Sequence, residues 1–167
     1  MNSPHPKVFR LLGESGVDAK VHDHEAFATR ISSPQDFADA LGYSLRRITK
    51  TVFLRSKSSS ERYAVAVCGM DRKLDFKAIA GSVEPPERME VASADDLDRI
   101  TGYPKHGVSP LGLPAGVEVL LDESLLDETT VLVGGGAAGV EIELDPSDLA
   151  AIAGARIAKI TQFAVTS

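Results

Sequence analysis

Lys50 stands in the middle of RITKTVFLR, Arg47 to Arg55, a stretch whose β-branched residues predict a strand. Side chains alternate along a strand, so Ile48, Lys50, Val52 and Leu54 share one face, and Thr49, Thr51, Phe53 and Arg55 the other. An ammonium on an aliphatic face has two readings. Its stem lies along the apolar surface with the amine in water, or the amine reaches into a pocket towards a phosphate or a carbonyl. The surroundings are basic: between Gly42 and Lys77 nine Lys and Arg stand against three acidic residues, a local charge of +6 in a chain of net charge -6. That segment is either a solvated surface or a patch for a phosphate-bearing ligand. The acidic balance of the whole excludes a general nucleic-acid binder, since phosphate contacts need Lys and Arg.

Four other constellations could do chemistry. Gly134 to Gly139, GGGAAG, satisfies G-x-G-x-x-G after an apolar strand. A dinucleotide site needs a helix to open there and an acidic residue about 20 positions on. The sequence offers the strand-like VEIELD and then ARIAKIT instead, so a Rossmann site is excluded and a glycine hairpin with a close backbone approach remains. His22, Asp23, His24 and Glu25 include two histidines on one strand face, but no further ligand follows at metal-site spacing. Cys68 ends an apolar run and reads as a small core residue. Ser109, in GYPKHGVSPLG, lies outside any nucleophile elbow because Pro110 follows it, and His106 is a base for it only by loop shape. That loop offers backbone N–H groups and a hydroxyl facing a small cavity.

These residues need a scaffold. The length of 167 residues suits one domain over residues 1–167, with a core built from Val, Leu, Ile and Ala because there is no Trp and only 5% aromatic residues. The first ten residues lack a secretory core and the single cysteine fits a reducing compartment, so a cytoplasmic protein with no membrane span is expected. Helix punctuation is strong. Ser33, Pro34 and Gly42 bracket one helix, Ser93 and Gly102 a second, and Asp145, Pro146 and Gly154 a third. Weaker helices are expected from Lys7 to Glu14, stopped near Gly16, and from Asp75 to Ala80, stopped by Gly81. Strands are expected at AKVHDH, TKTVFLR, YAVAVC, VEVLLD, TTVLV, VEIELD and ARIAKIT. TKTVFLR and YAVAVC form a hairpin around the turn SKSSSER, and YAVAVC, apolar throughout, is a central strand. The irregular order of elements gives an α+β fold with a mixed sheet that ARIAKIT closes.

ITKTVF, LDFKAIA, TGYPKHGVSPLG and VLVGGGAAGVEIEL, in this order from about Leu11 to Ile160, resemble the YbaK/ProX-type aminoacyl-tRNA deacylases, relatives of the editing domain of bacterial prolyl-tRNA synthetases. The resemblance implies a mixed, curved, barrel-like sheet surrounded by helices, and metal-independent hydrolysis of the ester between a wrong amino acid and tRNA, chiefly tRNA(Pro). It implies no cofactor, aminoacyl-tRNA as substrate, prolyl-tRNA synthetase as a candidate partner, and no DNA. Lys50 matches the family's strand lysine, Gly107, Ser109 and Pro110 most of its G-x-x-S-P loop, and Gly135 and Gly136 its glycine turn. Catalysis then falls to Lys50, Gly107 and Ser109, and substrate binding to His24, Thr51, His106, Pro110, Gly135, Gly136 and Glu141. His106 replaces the loop's first glycine, His24 stands where cysteine-specific members have a tyrosine, Glu141 replaces an aspartate, and Ala137 and Ala138 replace basic residues. These departures bear on the amino acid removed, with cysteine or another small residue expected. The rival readings are a non-catalytic module that binds aminoacyl-tRNA or a nucleotide for a synthetase, and a metal hydrolase built on His22 and His24.

Overall fold

The punctuated segments become helices because their caps satisfy the first free N–H groups. The computed structural model describes residues 1–58 and 61–164. It contains α1 (Pro6–Ser15), α2 (Pro34–Leu41), α3 (Phe76–Ser82), α4 (Ala94–Thr101) and α5 (Pro146–Ala153). Ser33, Ser93 and Asp145 accept from N–H groups of α2, α4 and α5, and Gly42, Gly102 and Gly154 close these helices in the left-handed conformation. α3 differs from expectation. Gly81 keeps a helical backbone, and the helix runs to Ser82 with the extended Val83 as its cap, just before Glu84, which Pro85 keeps out of the α region.

Ten strands are described: β1 (Ala19–Asp23), β2 (Thr49–Ser56), β3 (Tyr63–Gly69), β4 (Arg72–Leu74), β5 (Met89–Val91), β6 (Glu118–Asp122), β7 (Val131–Gly134), β8 (Val140–Leu144), β9 (Arg156–Ala158) and β10 (Thr161–Phe163). They are divided among three sheets. A mixed five-stranded sheet runs β5-β2-β3-β6-β9, a three-stranded antiparallel sheet runs β1-β8-β7, and β10 pairs with β4. The expected α+β fold with a mixed sheet is present. What differs is ARIAKIT, expected as one last strand, which splits into β9, parallel to β6, and β10, which leaves for β4. The three-residue strands β4 and β5 had no signal of their own. The β2–β3 hairpin is present, and the tip of its serine-rich turn, Ser59 and Ser60, lies outside the described residues.

All seven residues of β3 are buried, because apolar clusters cover both faces of its sheet. On one side Phe53, Val65, Val67, Val119 and Leu121 pack with Val131, Val133, Ile142 and Leu144 of the three-stranded sheet and with Leu97 and Leu149 of α4 and α5. On the other, Leu54, Ala66 and Leu120 meet Ile79 of α3. Each such Val, Leu or Ile contributes about 1.5–3 kcal/mol on burial. A third cluster joins Phe37 and Ala38 of α2 to Ile48 and Leu132. There the two larger sheets touch: Ile48 bridges Leu132, and the Thr49 hydroxyl donates to the Leu132 carbonyl at 2.7 Å. Among the described residues, no helix is long and apolar enough to cross a membrane.

Candidate functional site

Where the start of β2 meets β7 and β8, a cleft of about 440 Å³ opens, a volume typical of small-ligand sites. Its apolar wall comes from Ile31, Phe37, Ile48 and Met70, and its polar wall from His24, Lys50, Thr51, His106 and Glu141. Lys50 is half-buried at the end of the aliphatic face, past the last residue of the α3 cluster. Its amine donates to the carbonyl of Arg72 at 3.0 Å, which leaves two N–H groups, and no described carboxylate pairs with it. The Thr51 hydroxyl beside it is buried without a partner among the described residues.

Five arginines of the +6 segment are engaged in ion pairs. Arg46 pairs with Glu128 at 2.9 Å, Arg47 with Glu143, Arg55 with Asp96, Arg62 with Glu87 at 2.7 Å, and Arg72 with Asp71. Apart from Asp71, which neighbours Arg72 in the chain, the carboxylates come from distant segments, and they engage these arginines in internal pairs. The cations left at the cleft are Lys50 and, on the rim, Lys105.

Two loops close the far side. The Gly107 N–H donates to the Pro104 carbonyl at 3.0 Å, so it is committed within its own turn. A methyl group on Gly107 would lie 2.5 Å from the Ala137 carbonyl carbon, and one on Gly134 would collide with the Val108 carbonyl oxygen. The 105–108 loop and the glycine turn thus interlock at a distance only glycine permits.

Of the ten residues expected at a site, the structure brings His24, Lys50, Thr51, His106, Gly107 and Glu141 to the cleft. Four others lie elsewhere. Ser109 is 0% exposed, and its hydroxyl accepts from the Leu111 N–H at 3.1 Å, holding the loop's turn. Pro110 lines a separate cavity near Gly112 and Pro114. Gly135 exchanges backbone bonds with Val140 and His5, and Gly136 packs on His5 and Tyr103. One residue of register decides this: Gly134 and Gly139 flank the cleft, and the two glycines between them turn away.

Sequence reasoning missed the pairing of the two histidines. His24 Nε2 and Glu141 Oε2 are 2.7 Å apart, with 27% and 14% of their side chains exposed. His22 Nε2 and Glu143 Oε1 are likewise 2.7 Å apart, with 7% and 11% exposed. Glu143 also receives hydrogen bonds from Tyr43 at 2.7 Å and Thr130 at 2.6 Å. Burial would raise its carboxyl, but the donors Thr130, Tyr43 and His22 outweigh it and hold the group below its ordinary value. The signal was present as period-2 polar faces, His22/His24 on one strand and Glu141/Glu143 on another. Among the described residues no three His, Cys, Asp or Glu are grouped as a metal site. Cys68 is buried and its thiol is pushed up to about 11 by that burial, so it holds no thiolate.

Residues 28–152 match the model of the aminoacyl-tRNA editing domain. A protein of Enterococcus faecalis named "Putative Cys-tRNA(Pro)/Cys-tRNA(Cys) deacylase EbsC" is 29% identical over 152 residues, 91% of this chain and 90% of that protein. A proline–tRNA ligase of Fervidobacterium nodosum is 25% identical over 111 residues, 66% of this chain and 18% of the ligase. A solved structure described as "a putative trans-editing enzyme for prolyl tRNA synthetase" superposes with a TM-score of 0.76 at 21% identity, over 96% of this chain and 99% of that one, a likeness of fold.

Proposed function

From the chain's membership of the aminoacyl-tRNA editing family, we propose that it is a trans-editing deacylase that hydrolyses mischarged aminoacyl-tRNA, with cysteine or another small amino acid on tRNA(Pro) as the group removed. The observation that carries this reading is Lys50, a half-buried cation on the cleft wall with two uncommitted N–H groups. It holds the terminal phosphate of the tRNA or the charge that builds on the ester carbonyl oxygen. An aminoacyl ester is already activated, so electrostatic stabilisation by a few donors suffices without a nucleophilic triad. Among the described residues the N–H of Val108, which lines the cleft, has no partner, and any oxyanion role of this loop falls to it rather than to Gly107.

The cleft is small, and its floor of Phe37, Ile48 and Met70 limits the side chain it admits. A single methylene separates substrates by only about 1–3 kcal/mol, so selection against proline rests on shape as well as size. The net charge of -6 and the internally paired arginines leave little tRNA affinity to this surface alone, which favours prolyl-tRNA synthetase as the partner that presents the tRNA.

The test is loss of labelled amino acid from cysteinyl-, alanyl-, seryl- and prolyl-tRNA(Pro), with protein at substoichiometric amounts. Wild type turns over one mischarged species and spares prolyl-tRNA, with or without chelator. Lys50→Ala loses about 10²–10³ in rate, the scale of one electrostatic donor. An unchanged rate in Lys50→Ala removes the lysine's role. Protection of the ester in stoichiometric amounts without turnover identifies a binding module instead.

A further inference from the structure

We propose that His24, oriented by Glu141, is the proton acceptor for the attacking water; this rests on the deacylase reading above. The backbone N–H of His24 donates to the Gly139 carbonyl at 2.9 Å, which ties the end of β1 to the glycine turn. Its ring lies against Phe37 of α2, centroids 4.7 Å apart, so packing fixes its plane. A carboxylate only accepts, so the 2.7 Å contact puts the ring proton on Nε2 and leaves a lone pair on Nδ1. No described residue bonds to Nδ1, and the ring lines the cleft with Lys50. An imidazole on a cleft-lining residue, with one nitrogen held by a carboxylate and the other left without a described partner, has the arrangement of a general base.

Other candidates for this role are spent or unheld. Ser109 is buried in its own turn, and the Cys68 thiol is held protonated by burial. His106 lines the cleft, but it is exposed and nothing among the described residues bonds to its ring. The titratable groups around His24 are Glu141 on β8, Lys50 on β2, Lys105 and His106 on the facing loop, and Asp23 and Glu25 beside it in the chain. Asp23 is occupied by Asn2 and by the Glu25 N–H. Among these described groups, Glu141 alone bonds to the ring.

In the reaction, Nδ1 takes a proton from water as the water oxygen bonds to the ester carbonyl carbon and the carbonyl π pair moves to oxygen. When that pair returns, the bond from carbon to the ribose oxygen breaks, and the Nδ1 proton passes to the departing ribose oxygen. One water is consumed, and a free amino acid and a tRNA with its hydroxyl restored are released. The Glu141 carboxylate stabilises the imidazolium formed between the two steps.

The experiment measures single-turnover deacylation from mildly acid to mildly alkaline pH for wild type, His24→Ala and Glu141→Gln, with thermal melting of each. The wild-type rate falls towards acid as the imidazole takes up a proton. His24→Ala is about 10²-fold slower, within the range for a lost general base, has no such acid limb, and recovers rate with added imidazole. Glu141→Gln keeps a hydrogen-bond acceptor without charge, so it retains the limb at a reduced rate. His24→Ala with the wild-type rate, or slowed with its limb intact and no rescue, overturns the proposal and leaves the deacylase. An unchanged rate in Glu141→Gln overturns the carboxylate's charge stabilisation. Should His24→Ala fail to fold, His24→Gln, which keeps a polar side chain without the imidazole, is measured in its place, and a wild-type rate or an intact acid limb in it overturns the proposal. A wild type inactive on every ester overturns both readings.

Discussion

Two histidine–glutamate pairs lie on one face of the β1-β8-β7 sheet, with the same 2.7 Å contact and opposite surroundings. His22–Glu143 is closed in. Its carboxylate is met by Tyr43, Thr130 and His22, with an Arg47 nitrogen at 3.5 Å and the Arg47 guanidinium stacked 3.6 Å over the Tyr43 ring. His24–Glu141, one rung away, opens on the cleft, and His24 is the only described side chain that bonds to Glu141. The Glu143 carboxylate, met by three hydrogen-bond donors and an arginine, fastens β1 and β8 to Tyr43 just past α2 and to Thr130 just before β7. The same pair with free valences is held in position but not used up, as a site requires. Chemical type and contact distance are equal, so surroundings alone distinguish the two pairs.

The comparison breaks most visibly at Glu143. Glu143→Ala strands His22, Tyr43, Thr130 and Arg47 without their acceptor. Removing one partner of a buried pair costs about 3–5 kcal/mol, which for a domain of this size lowers the melting temperature on the order of 10 °C. Calorimetry at neutral pH reads this directly. A fall of only a degree or two would mean that water replaces the carboxylate and that the closed pair is no fastening.

The pH dependence of stability sharpens the same point. The Glu143 carboxyl is held below its ordinary 4.5, so its contribution is complete above that value and is lost as pH falls through the folded-state value. Tyr43 behaves oppositely. Its bond to Glu143, with burial and the carboxylate's charge, raises its hydroxyl above 10.0, so its contribution is complete below 10.0 and is lost as pH rises through the raised value. Melting temperature against pH therefore has an acid edge below 4.5 and an alkaline edge above 10.0 from this one network. Glu143→Gln, which removes the charge, flattens both edges. Persistence of both edges in the variant would place their origin elsewhere, with Glu87 the first suspect on the acid side: hydrogen bonds from Ser56, Ser58 and Arg62 bring it down to about 2.

How much of this was legible follows the range of the interactions involved. The boundaries of α2, α4 and α5 were readable because a cap and its helix lie within a few residues. Lys50 was readable because it violates the alternation of its own strand. The division into three sheets was not, since β9 and β10 differ by partners, β6 and β4, that no local pattern names. The pairing of the segment's arginines was hidden for the same cause: Arg46 and Arg47 find Glu128 and Thr130 more than eighty residues away. At the site, residue type was easier to see than register. Ser109 and Gly136 were of the right kind, yet a turn of one residue decides whether a group faces the cleft or the core.

Glu141 gives the smallest expected effect on stability and for that reason the sharpest contrast. Its pair is only partly buried, and its carboxylate has one described partner. Loss of an ion pair at such a boundary costs about 1 kcal/mol or less, against the several expected at Glu143. Glu141→Ala therefore melts within a few degrees of wild type while deacylation falls, so activity and stability separate at one rung and move together at the next. A Glu141→Ala protein as unstable as Glu143→Ala would make both pairs fasteners, and the distinction drawn from exposure alone would fail. Equal stability with an unchanged rate would leave the open pair without a function that its place in the cleft predicts.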